Sequence, residues 1–132
     1  MRVGIIGAGR IGKFHIREFF GAGCEIVAIF QNKKEKAEEN AKILSETYKK
    51  PIKPYWNLEK FFKEKLDIVS ICTPCEFHSF YIKKSLEKGL NVFSEKPFVF
   101  DSEDKNFKIA KRLVELAKEK NKIVSVNTQW AC

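Results

Sequence analysis

The chain has 132 residues, of which 44% are hydrophobic and 32% charged, and its formal net charge is +8. A chain of this kind forms one globular domain with a real core, and it is too short for two domains of ordinary size. No apolar run approaches the roughly 20 residues of a membrane-spanning helix, and the chain opens without a signal-peptide pattern, so we expect a cytoplasmic protein that spans no membrane.

The excess of basic residues has two interpretations. Lysines alternate with glutamates in segments 32–50 and 108–122, which is typical of solvated helix faces. No basic–aromatic block or nucleic-acid motif accompanies them, so we expect no nucleic-acid partner. The same charge favours the approach of small anionic molecules.

In chain order, short apolar runs alternate with longer amphipathic stretches. The predicted strands are RVGIIG (2–7), EIVAIF (25–30), KPYW (53–56), DIVSIC (67–72), NVFS (91–94) and IVSVN (123–127). The predicted helices cover residues 10–20, 33–50, 57–62, 76–88 and 102–120. Strands that are apolar on both faces, with helices between them, predict a mostly parallel sheet covered on both sides, which is a doubly wound, three-layer α/β/α domain.

Local signals mark the ends and faces of the predicted helices. Asn57 is placed to cap the third helix, Pro51 to end the second and Gly89 to stop the fourth. Helical spacing groups Ile11, Phe14 and Phe19 in the first helix, Ala37, Ala41, Leu44 and Tyr48 in the second, and Phe107, Ala110, Val114 and Ala117 in the fifth. We expect these faces to pack inward.

A glycine-rich turn follows the first predicted strand and opens the first helix. It reads Gly7-Ala8-Gly9-Arg10-Ile11-Gly12, the pattern G-x-G-x-x-G. In this context the first glycine allows a tight turn, the second lets a pyrophosphate approach the backbone, and the third lets the helix pack on the strand. Ligands of such sheets bind beyond the carboxyl ends of the strands. The turn therefore predicts a dinucleotide site that includes Gly7, Gly9, Arg10, Ile11 and Gly12.

The end of the second strand departs from the usual pattern for NAD. That position generally carries an acid that holds the ribose hydroxyls, whereas this chain has Gln31, followed by Asn32, Lys33 and Lys34. A neutral side chain with lysines nearby does not repel a 2′-phosphate, so NADP is allowed beside NAD. Alternatively, the lysines simply begin a solvated helix. Gln31 and Asn32 are cofactor-binding candidates in both cases.

Two of the four cysteines, Cys72 and Cys75, have the redox spacing C-x-x-C between a strand and a helix. A dithiol redox protein is therefore an alternative function. The preceding architecture argues against it, and no aromatic residue stands just before the pair, so we expect Cys72 to be a small apolar residue at a strand end. No His or Cys partners lie at zinc spacing, and we predict no metal site.

Two more segments stand at the ends of predicted strands. Thr73-Pro74, with His78 four residues on, follows the fourth strand, and Glu95-Lys96-Pro97 follows the fifth. Proline removes a backbone donor and holds the preceding residue extended. The backbone is therefore restrained around the Lys96 ammonium at the end of the fifth predicted strand.

With these landmarks in order, the chain resembles the N-terminal domain of the oxidoreductases typified by glucose–fructose oxidoreductase, inositol dehydrogenase and the rhizopine-catabolism dehydrogenase (the Gfo/Idh/MocA family). That domain runs from G-x-G-x-x-G through T-P-x-x-x-H to E-K-P, then a helix and a sixth strand. The resemblance covers essentially the whole chain. It implies a Rossmann fold over residues 1–132, NAD or NADP as the cofactor, and hydride transfer to or from a sugar or polyol.

The resemblance also implies a catalytic residue, Lys96. In that family the matching lysine faces the nicotinamide and the substrate, orients the substrate hydroxyl and moves its proton. Glu95 would be its neighbour, and Pro97 would fix the backbone. The alternative for Lys96 is an ordinary surface lysine at a strand end.

Further site residues follow from the same resemblance. Thr73 and Pro74 would line the nicotinamide side of the cofactor, and Asn127 matches an asparagine often found at the end of the sixth strand. His78 would start the next helix close to the cofactor, with a purely structural role as the alternative.

The resemblance has one further departure besides Gln31. Family members continue into a second α/β domain with the substrate pocket, the oligomer interface and a further catalytic histidine, whereas this chain stops at Cys132, and Gln129 stands where many relatives carry arginine. We therefore expect the cofactor-binding half of a dehydrogenase, inactive alone, whose homo-oligomer would form mainly through the absent domain. A naturally free-standing domain and a non-catalytic dinucleotide-binding or sensing module are the alternatives.

Overall fold

The computed structural model describes residues 1–128, which form a six-stranded sheet flanked by five α-helices. The strands are β1 (Arg2–Ile6), β2 (Glu25–Phe30), β3 (Lys53–Tyr55), β4 (Ile68–Ile71), β5 (Asn91–Glu95) and β6 (Val124–Asn127). The helices are α1 (Arg10–Gly21), α2 (Lys34–Tyr48), α3 (Leu58–Phe61), α4 (His78–Glu87) and α5 (Glu103–Glu119), with a 3₁₀ turn at Cys75–Phe77. Gln129 and Cys132 lie outside the described residues.

The strand order is β3-β2-β1-β4-β5-β6, and every neighbouring pair is parallel. The chain starts at the centre of the sheet, builds outward to β3, and then returns to place β4 on the other side of β1. The direction of winding reverses between β1 and β4, which opens a crevice at the carboxyl ends of those strands. The predicted doubly wound parallel sheet, a Rossmann-like α/β fold, is confirmed.

The sheet buries apolar side chains on both faces, as a parallel sheet requires. Alternate residues of β1 serve the two faces. One core includes Val3, Ile5, Ile16, Ile29, Ala41 and Leu44, and the other includes Ile6, Phe61, Val69, Ile71, Ile82, Leu86, Val92 and Leu113. This packed sheet holds the loops at its carboxyl edge in place. Within residues 1–128, no helix has the length and apolarity that crossing a membrane would need.

The predicted helix ends agree closely with the structure. The side chain of Asn57 accepts a hydrogen bond from the backbone N–H of Lys60 at 3.0 Å, which caps α3 as predicted. Gly89 follows α4 with a φ of +74°, a left-handed conformation that favours glycine. Helix α2 ends at Tyr48, before Pro51, because Lys49 already adopts a left-handed conformation.

The predicted helix faces are confirmed for α2 and wrong in part for α1. In α2 the buried residues include Ala37, Ala41 and Leu44. In α1, however, Ile11 and Phe14 are 47% and 39% exposed, and Gly12 and Ile16 face the sheet instead. Gly12 determines this orientation, because a Cβ there would lie 2.0 Å from the carbonyl oxygen of Gly7. Because Gly12 has no side chain, its side of α1 can pack closely against the turn at Gly7.

Helix α5 also differs from its predicted face. Phe107 and Val114, predicted to point inward, are 77% and 44% exposed, whereas Ala117 is buried as predicted, together with Leu113. Phe107 and Val114 share a helical stripe with Lys111, whose ammonium needs solvent. Helix α5 therefore turns this stripe outward and buries the adjacent one.

Candidate functional site

The glycine turn lies at the carboxyl end of β1, beside the crevice. Gly7 has a φ of +92°, and a Cβ there would lie 2.8 Å from the carbonyl oxygen of Cys72. The N–H of Gly7 donates to the carbonyl of Phe30 at 2.9 Å, and the N–H of Cys72 donates to the carbonyl of Ile6 at 2.8 Å. The turn is thus fixed between β2 and β4, and the predicted conformational roles of Gly7 and Gly12 are confirmed.

Gly9 differs from the other two glycines of the turn because it faces open space. A Cβ built on Gly9 meets no atom within 4 Å, and its φ of −73° suits any residue. Gly9 is also the N-cap of α1. The first N–H groups of a helix lack partners inside it, and the helix dipole makes this end positive. The open approach to these groups suits a pyrophosphate.

A cleft of about 280 Å³ lies on the β2 side of the glycine turn. Its lining residues are Gly7, Gly9, Phe30, Gln31, Asn32, Thr73, Pro74, Phe77 and Tyr81. No charged side chain lines this β2-side cleft in the described part of the chain. The hydroxyl of Thr73 is buried and has no partner within residues 1–128. A partly aromatic cleft with an unpaired polar atom suits the adenosine half of a dinucleotide.

A second cleft, of about 690 Å³, lies on the other side of the turn. This β5-side cleft is lined by Arg10, Ile11, Lys13, Phe14, Arg17, Tyr48, Glu95, Lys96 and Asn127. Lys96 is exposed at the carboxyl end of β5, and its bond to Pro97 is cis. The Lys96 ammonium takes part in none of the ion pairs found within residues 1–128. It is therefore available to a ligand in this cleft.

A chain of hydrogen bonds beneath the β5-side cleft was not predicted from the sequence. His15, which is only 3% exposed, places Nε2 2.7 Å from Glu95 Oε1 and Nδ1 2.8 Å from the Ser70 hydroxyl oxygen, both at hydrogen-bond distance. Asn127 Nδ2 donates to the same Glu95 oxygen at 2.6 Å. These hydrogen bonds hold the Glu95 carboxylate in one orientation beside Lys96.

The order Ser70–His15–Glu95 is that of a hydrolase triad, but its position in the fold rules out that chemistry. Ser70 lies within β4 and is fully buried. A triad serine must reach the scissile carbonyl of a substrate with its hydroxyl oxygen, and no substrate reaches this one. The chain of hydrogen bonds therefore orients Glu95 and performs no acyl transfer.

The hydrogen bonds to Glu95 also set its pKa. Partial burial by itself raises the pKa of Glu95, but the bonds from Asn127, His15 and the Lys96 backbone outweigh burial and bring the pKa below its ordinary value. Glu95 is therefore ionised at neutral pH. A carboxylate fixed next to the Lys96 backbone gives the β5-side cleft a negative group near its ammonium.

Glu95 leads to a stability prediction with a defined pH range. A carboxyl whose folded pKa is lowered contributes stability that is present above the unfolded pKa, ordinarily 4.5, and lost as the pH falls through the folded pKa. We expect Glu95→Gln to lower the free energy of unfolding by about 1 kcal/mol at pH 7, and this difference to shrink as the pH falls below the unfolded pKa and through the lower folded pKa. Urea unfolding of both proteins across this range measures it, and a difference that is constant with pH would contradict the prediction.

His78 lies behind the loops of the site, an arrangement that agrees with the structural alternative given for it, and a role at the cofactor stays a prediction. It is 1% exposed, and its Nε2 and Nδ1 lie 2.9 Å and 2.7 Å from the carbonyl oxygens of Thr73 and Pro97. Because a carbonyl only accepts, a ring N–H of His78 donates to this backbone. The histidine thereby ties the loop after β4 to the loop after β5, and its polar atoms are not available to a ligand.

The dithiol alternative is not favoured by the state of Cys72. Burial raises the pKa of its thiol to about 12, a rise that the Ser70 hydrogen bond opposes and the charge of Glu95 adds to. A redox-active cysteine needs a lowered pKa and a thiolate at neutral pH, so Cys72 is a protonated, structural residue. Within residues 1–128, no three His, Cys, Asp or Glu side chains come together closely enough to hold a metal ion.

The glycine turn and the clefts beside it are features of a dinucleotide-binding domain, and comparison with known families agrees. Residues 1–128 match the family described as "Oxidoreductase family, NAD-binding Rossmann fold" (GFO_IDH_MocA). The chain belongs to this family. Its cofactor class is accordingly a nicotinamide dinucleotide, NAD or NADP, and the resemblance inferred from the sequence motifs is confirmed.

Individual relatives of this Gfo/Idh/MocA protein are dehydrogenases and reductases. It is 28% identical over 126 residues to UDP-N-acetylglucosamine 3-dehydrogenase of Acidithiobacillus ferrooxidans, covering 96% of this chain, and 32% identical over 104 residues to inositol 2-dehydrogenase of Rhizobium meliloti, covering 78%. The solved structure of the former superposes with a TM-score of 0.80 at 27% identity, covering 96% of this chain and 38% of that one. Biliverdin reductase of Synechocystis, solved with biliverdin and NADP⁺, gives 0.76 at 25% identity, covering 95% and 37%.

The chain spans about a third of the length of these relatives. It covers 36% of the Acidithiobacillus dehydrogenase and 30% of the Rhizobium dehydrogenase. The matched third is the cofactor-binding domain, so the shared structure concerns the dinucleotide site.

Proposed function

We propose that the chain is the cofactor-binding half of a longer NAD(P)-dependent oxidoreductase, and that the whole protein transfers hydride between the nicotinamide and a hydroxyl or carbonyl of a sugar or polyol. The observation that carries the proposal is the place of Lys96. Its ammonium, which makes no ion pair within residues 1–128, stands at the carboxyl end of β5, in the same cleft as Arg10 and Ile11 of the glycine turn. A module that only binds a dinucleotide has no need of this group.

The residues present suit a dinucleotide that lies across the carboxyl edge of the sheet. Gly9 leaves space where the pyrophosphate would approach the N-terminus of α1. Gln31 and Asn32 would stand beside the adenosine half. Thr73 and Pro74, expected on the nicotinamide side, line the same cleft, so we place them towards the middle of the cofactor. The nicotinamide would occupy the β5-side cleft, where Glu95, Lys96 and Asn127 are found together.

In the proposed reaction the chain's own residues position the reactants and move one proton. The bound nicotinamide supplies the carbon that accepts or returns hydride. In the direction of reduction, the Lys96 ammonium gives a proton to the substrate oxygen as hydride reaches the adjacent carbon, and the reverse step returns that proton to the Lys96 amine. Glu95, held by His15 and Asn127, keeps the negative group fixed beside that lysine.

The rest of the substrate site is proposed to come from a second domain. The relatives are about three times as long as this chain, and two of them are named for a nucleotide sugar and for inositol. An apolar hollow of about 320 Å³, lined in part by Phe14, Phe19 and Phe93, lies on one face of the sheet next to Asn127. Parallel sheets are normally covered on both faces, so we place the additional domain over this hollow, with the oligomer interface in that domain.

Titration of the 132-residue chain with NADH and with NADPH tests the dinucleotide assignment. We expect one saturable site for at least one of them, read by calorimetry and by the change in nicotinamide fluorescence. ADP-ribose should compete, because it fills the β2-side cleft and the pyrophosphate position without the nicotinamide. The absence of saturable binding by either cofactor would contradict the proposed function.

A further inference from the structure

The side chain of Gln31 is held by a residue that the sequence motifs do not include. Gln31 follows β2, and its backbone N–H donates to the carbonyl of Tyr55 at 2.9 Å. Asn40 lies on α2 and is only 8% exposed. The Nδ2 of Asn40 donates to Gln31 Oε1 at 2.7 Å. Both ends of the glutamine are thus tied, one at the backbone and one at the amide oxygen.

This contact decides which end of the Gln31 amide faces the β2-side cleft. An amide has one accepting oxygen and one donating NH₂ group. Because Asn40 occupies the oxygen, the NH₂ group is the part left for a ligand, and it has no partner within residues 1–128. Gln31 therefore offers hydrogen-bond donors where the usual acid of an NAD site offers acceptors.

The charges around Gln31 agree with a donating site. The β2-side cleft contains no carboxylate among the described residues, so nothing in its lining repels an anion. Lys33 and Lys34 follow directly in the sequence. Lys34 Nζ lies 5.3 Å from the centre of the Trp56 ring and 3.9 Å from a Glu38 oxygen, and Lys33 stands exposed at the N-cap of α2.

We propose that Asn40 is a specificity-determining residue which, by fixing Gln31 as a donor, makes the site favour a ribose that carries a 2′-phosphate over one that carries a 2′-hydroxyl. A phosphate oxygen only accepts hydrogen bonds and matches the NH₂ group, whereas the hydroxyl is better held by a carboxylate. Asn40 acts through Gln31 and need not touch the cofactor. The inference rests on the dinucleotide binding proposed above and adds the choice of NADP(H).

The test reverses the Gln31 amide by one substitution. In Asn40→Asp the carboxylate only accepts, so it should bind the NH₂ group of Gln31 and turn the oxygen towards the cleft. We expect the 132-residue chain to bind NADPH about tenfold more tightly than NADH, and Asn40→Asp to lower this ratio of dissociation constants by about tenfold or more. Gln31→Asp, which puts an acid at the ribose directly, should shift the ratio in the same direction.

A matched pair of variants separates the effect of the Gln31 amide from the effect of the negative charge added at position 40. Gln31→Ala removes the amide, so in Gln31→Ala/Asn40→Asp only the through-space charge of the aspartate remains. We expect Asn40→Asp to change the ratio much less in this background than in the parent. Asn40→Ala adds no charge and releases the amide, so it should also lower the ratio, and it replaces Asn40→Asp if that variant does not fold.

The outcomes for the inference and for the proposed function are distinct. A parent that binds both cofactors equally, or an Asn40→Asp effect of the same size with and without Gln31, overturns the role of Asn40 and leaves dinucleotide binding intact. A parent that binds neither cofactor overturns both proposals. The inference is supported if the effect of Asn40→Asp on the ratio of the two dissociation constants is large with Gln31 present and small without it.

Discussion

Gly9→Val is expected to abolish dinucleotide binding and to leave the domain folded. The space in front of Gly9 is empty, since a Cβ there meets no atom within 4 Å, and a valine side chain would fill the path by which a pyrophosphate reaches the first turn of α1. We expect the affinity for NADH and NADPH to fall at least about 100-fold, which corresponds to about 2.8 kcal/mol. The free energy of unfolding should change by about 1 kcal/mol or less, because Gly9 already has a φ that other residues adopt.

Gly12→Ala is the control that makes the Gly9 experiment specific. A Cβ at Gly12 would lie 2.0 Å from the carbonyl oxygen of Gly7, a backbone atom that cannot move aside cheaply. We expect this smaller substitution to destabilise the fold by about 4 kcal/mol or more. Calorimetric titration together with urea unfolding distinguishes the two sites. A Gly9→Val protein with the affinity of its parent would remove the glycine turn from the binding site.

The fold could be predicted from the sequence because its signals are local. Strands apolar on both faces, such as β1 and β4, indicate a covered parallel sheet, and the G-x-G-x-x-G turn identifies the first crossover. Asn57 and Gly89 act within their own segments, and both were predicted correctly for this reason. Candidate site residues at strand ends follow from the same logic, since the carboxyl ends of parallel strands share one edge.

The parts that were not predicted depend on contacts between distant segments. His15 meets Ser70 and Glu95, which lie 55 and 80 residues away, and these contacts form only because β4 and β5 lie on the same side of β1. One feature of the sequence could have indicated these contacts of His15. His15 stands three residues after Gly12, on the helix face that a glycine brings close to the sheet, and a histidine in that position needs buried polar partners.

The helix faces show the same limit. Ile11 and Phe14 are large apolar residues of α1, and Phe107 is the largest apolar residue of α5, so hydrophobic spacing alone favours them as core residues. The structure instead buries the positions that geometry allows to approach the sheet, such as Gly12 and Leu113. Apolar spacing identifies a helix more securely than it identifies which side of that helix faces inward.

Lys96→Ala is expected to lower the turnover of the longer enzyme by about 10²–10⁴-fold, the range typical of a residue that transfers a proton. Cofactor affinity should change little, because the glycine turn and the β2-side cleft are untouched. Lys96→Arg should restore little activity, since a guanidinium stays protonated and cannot accept a proton. The 132-residue chain by itself should oxidise no sugar or polyol, because the proposed substrate site needs a second domain.

Lys13→Ala provides the matched control for the role of Lys96. Lys13 lines the same β5-side cleft, so its removal makes the same change in charge without removing the group at the end of β5. If Lys96 transfers the proton, Lys13→Ala should change turnover only a few-fold, and a small primary amine added to Lys96→Ala should restore part of the lost activity. Two results would contradict this assignment: equal losses in the two alanine variants, which would reduce Lys96 to a source of positive charge, or a Lys96→Ala enzyme as active as its parent. Dehydrogenase activity in the 132-residue chain would instead show that this domain builds a substrate site of its own, and the proposal of a second domain over the hollow beside Asn127 would then fail.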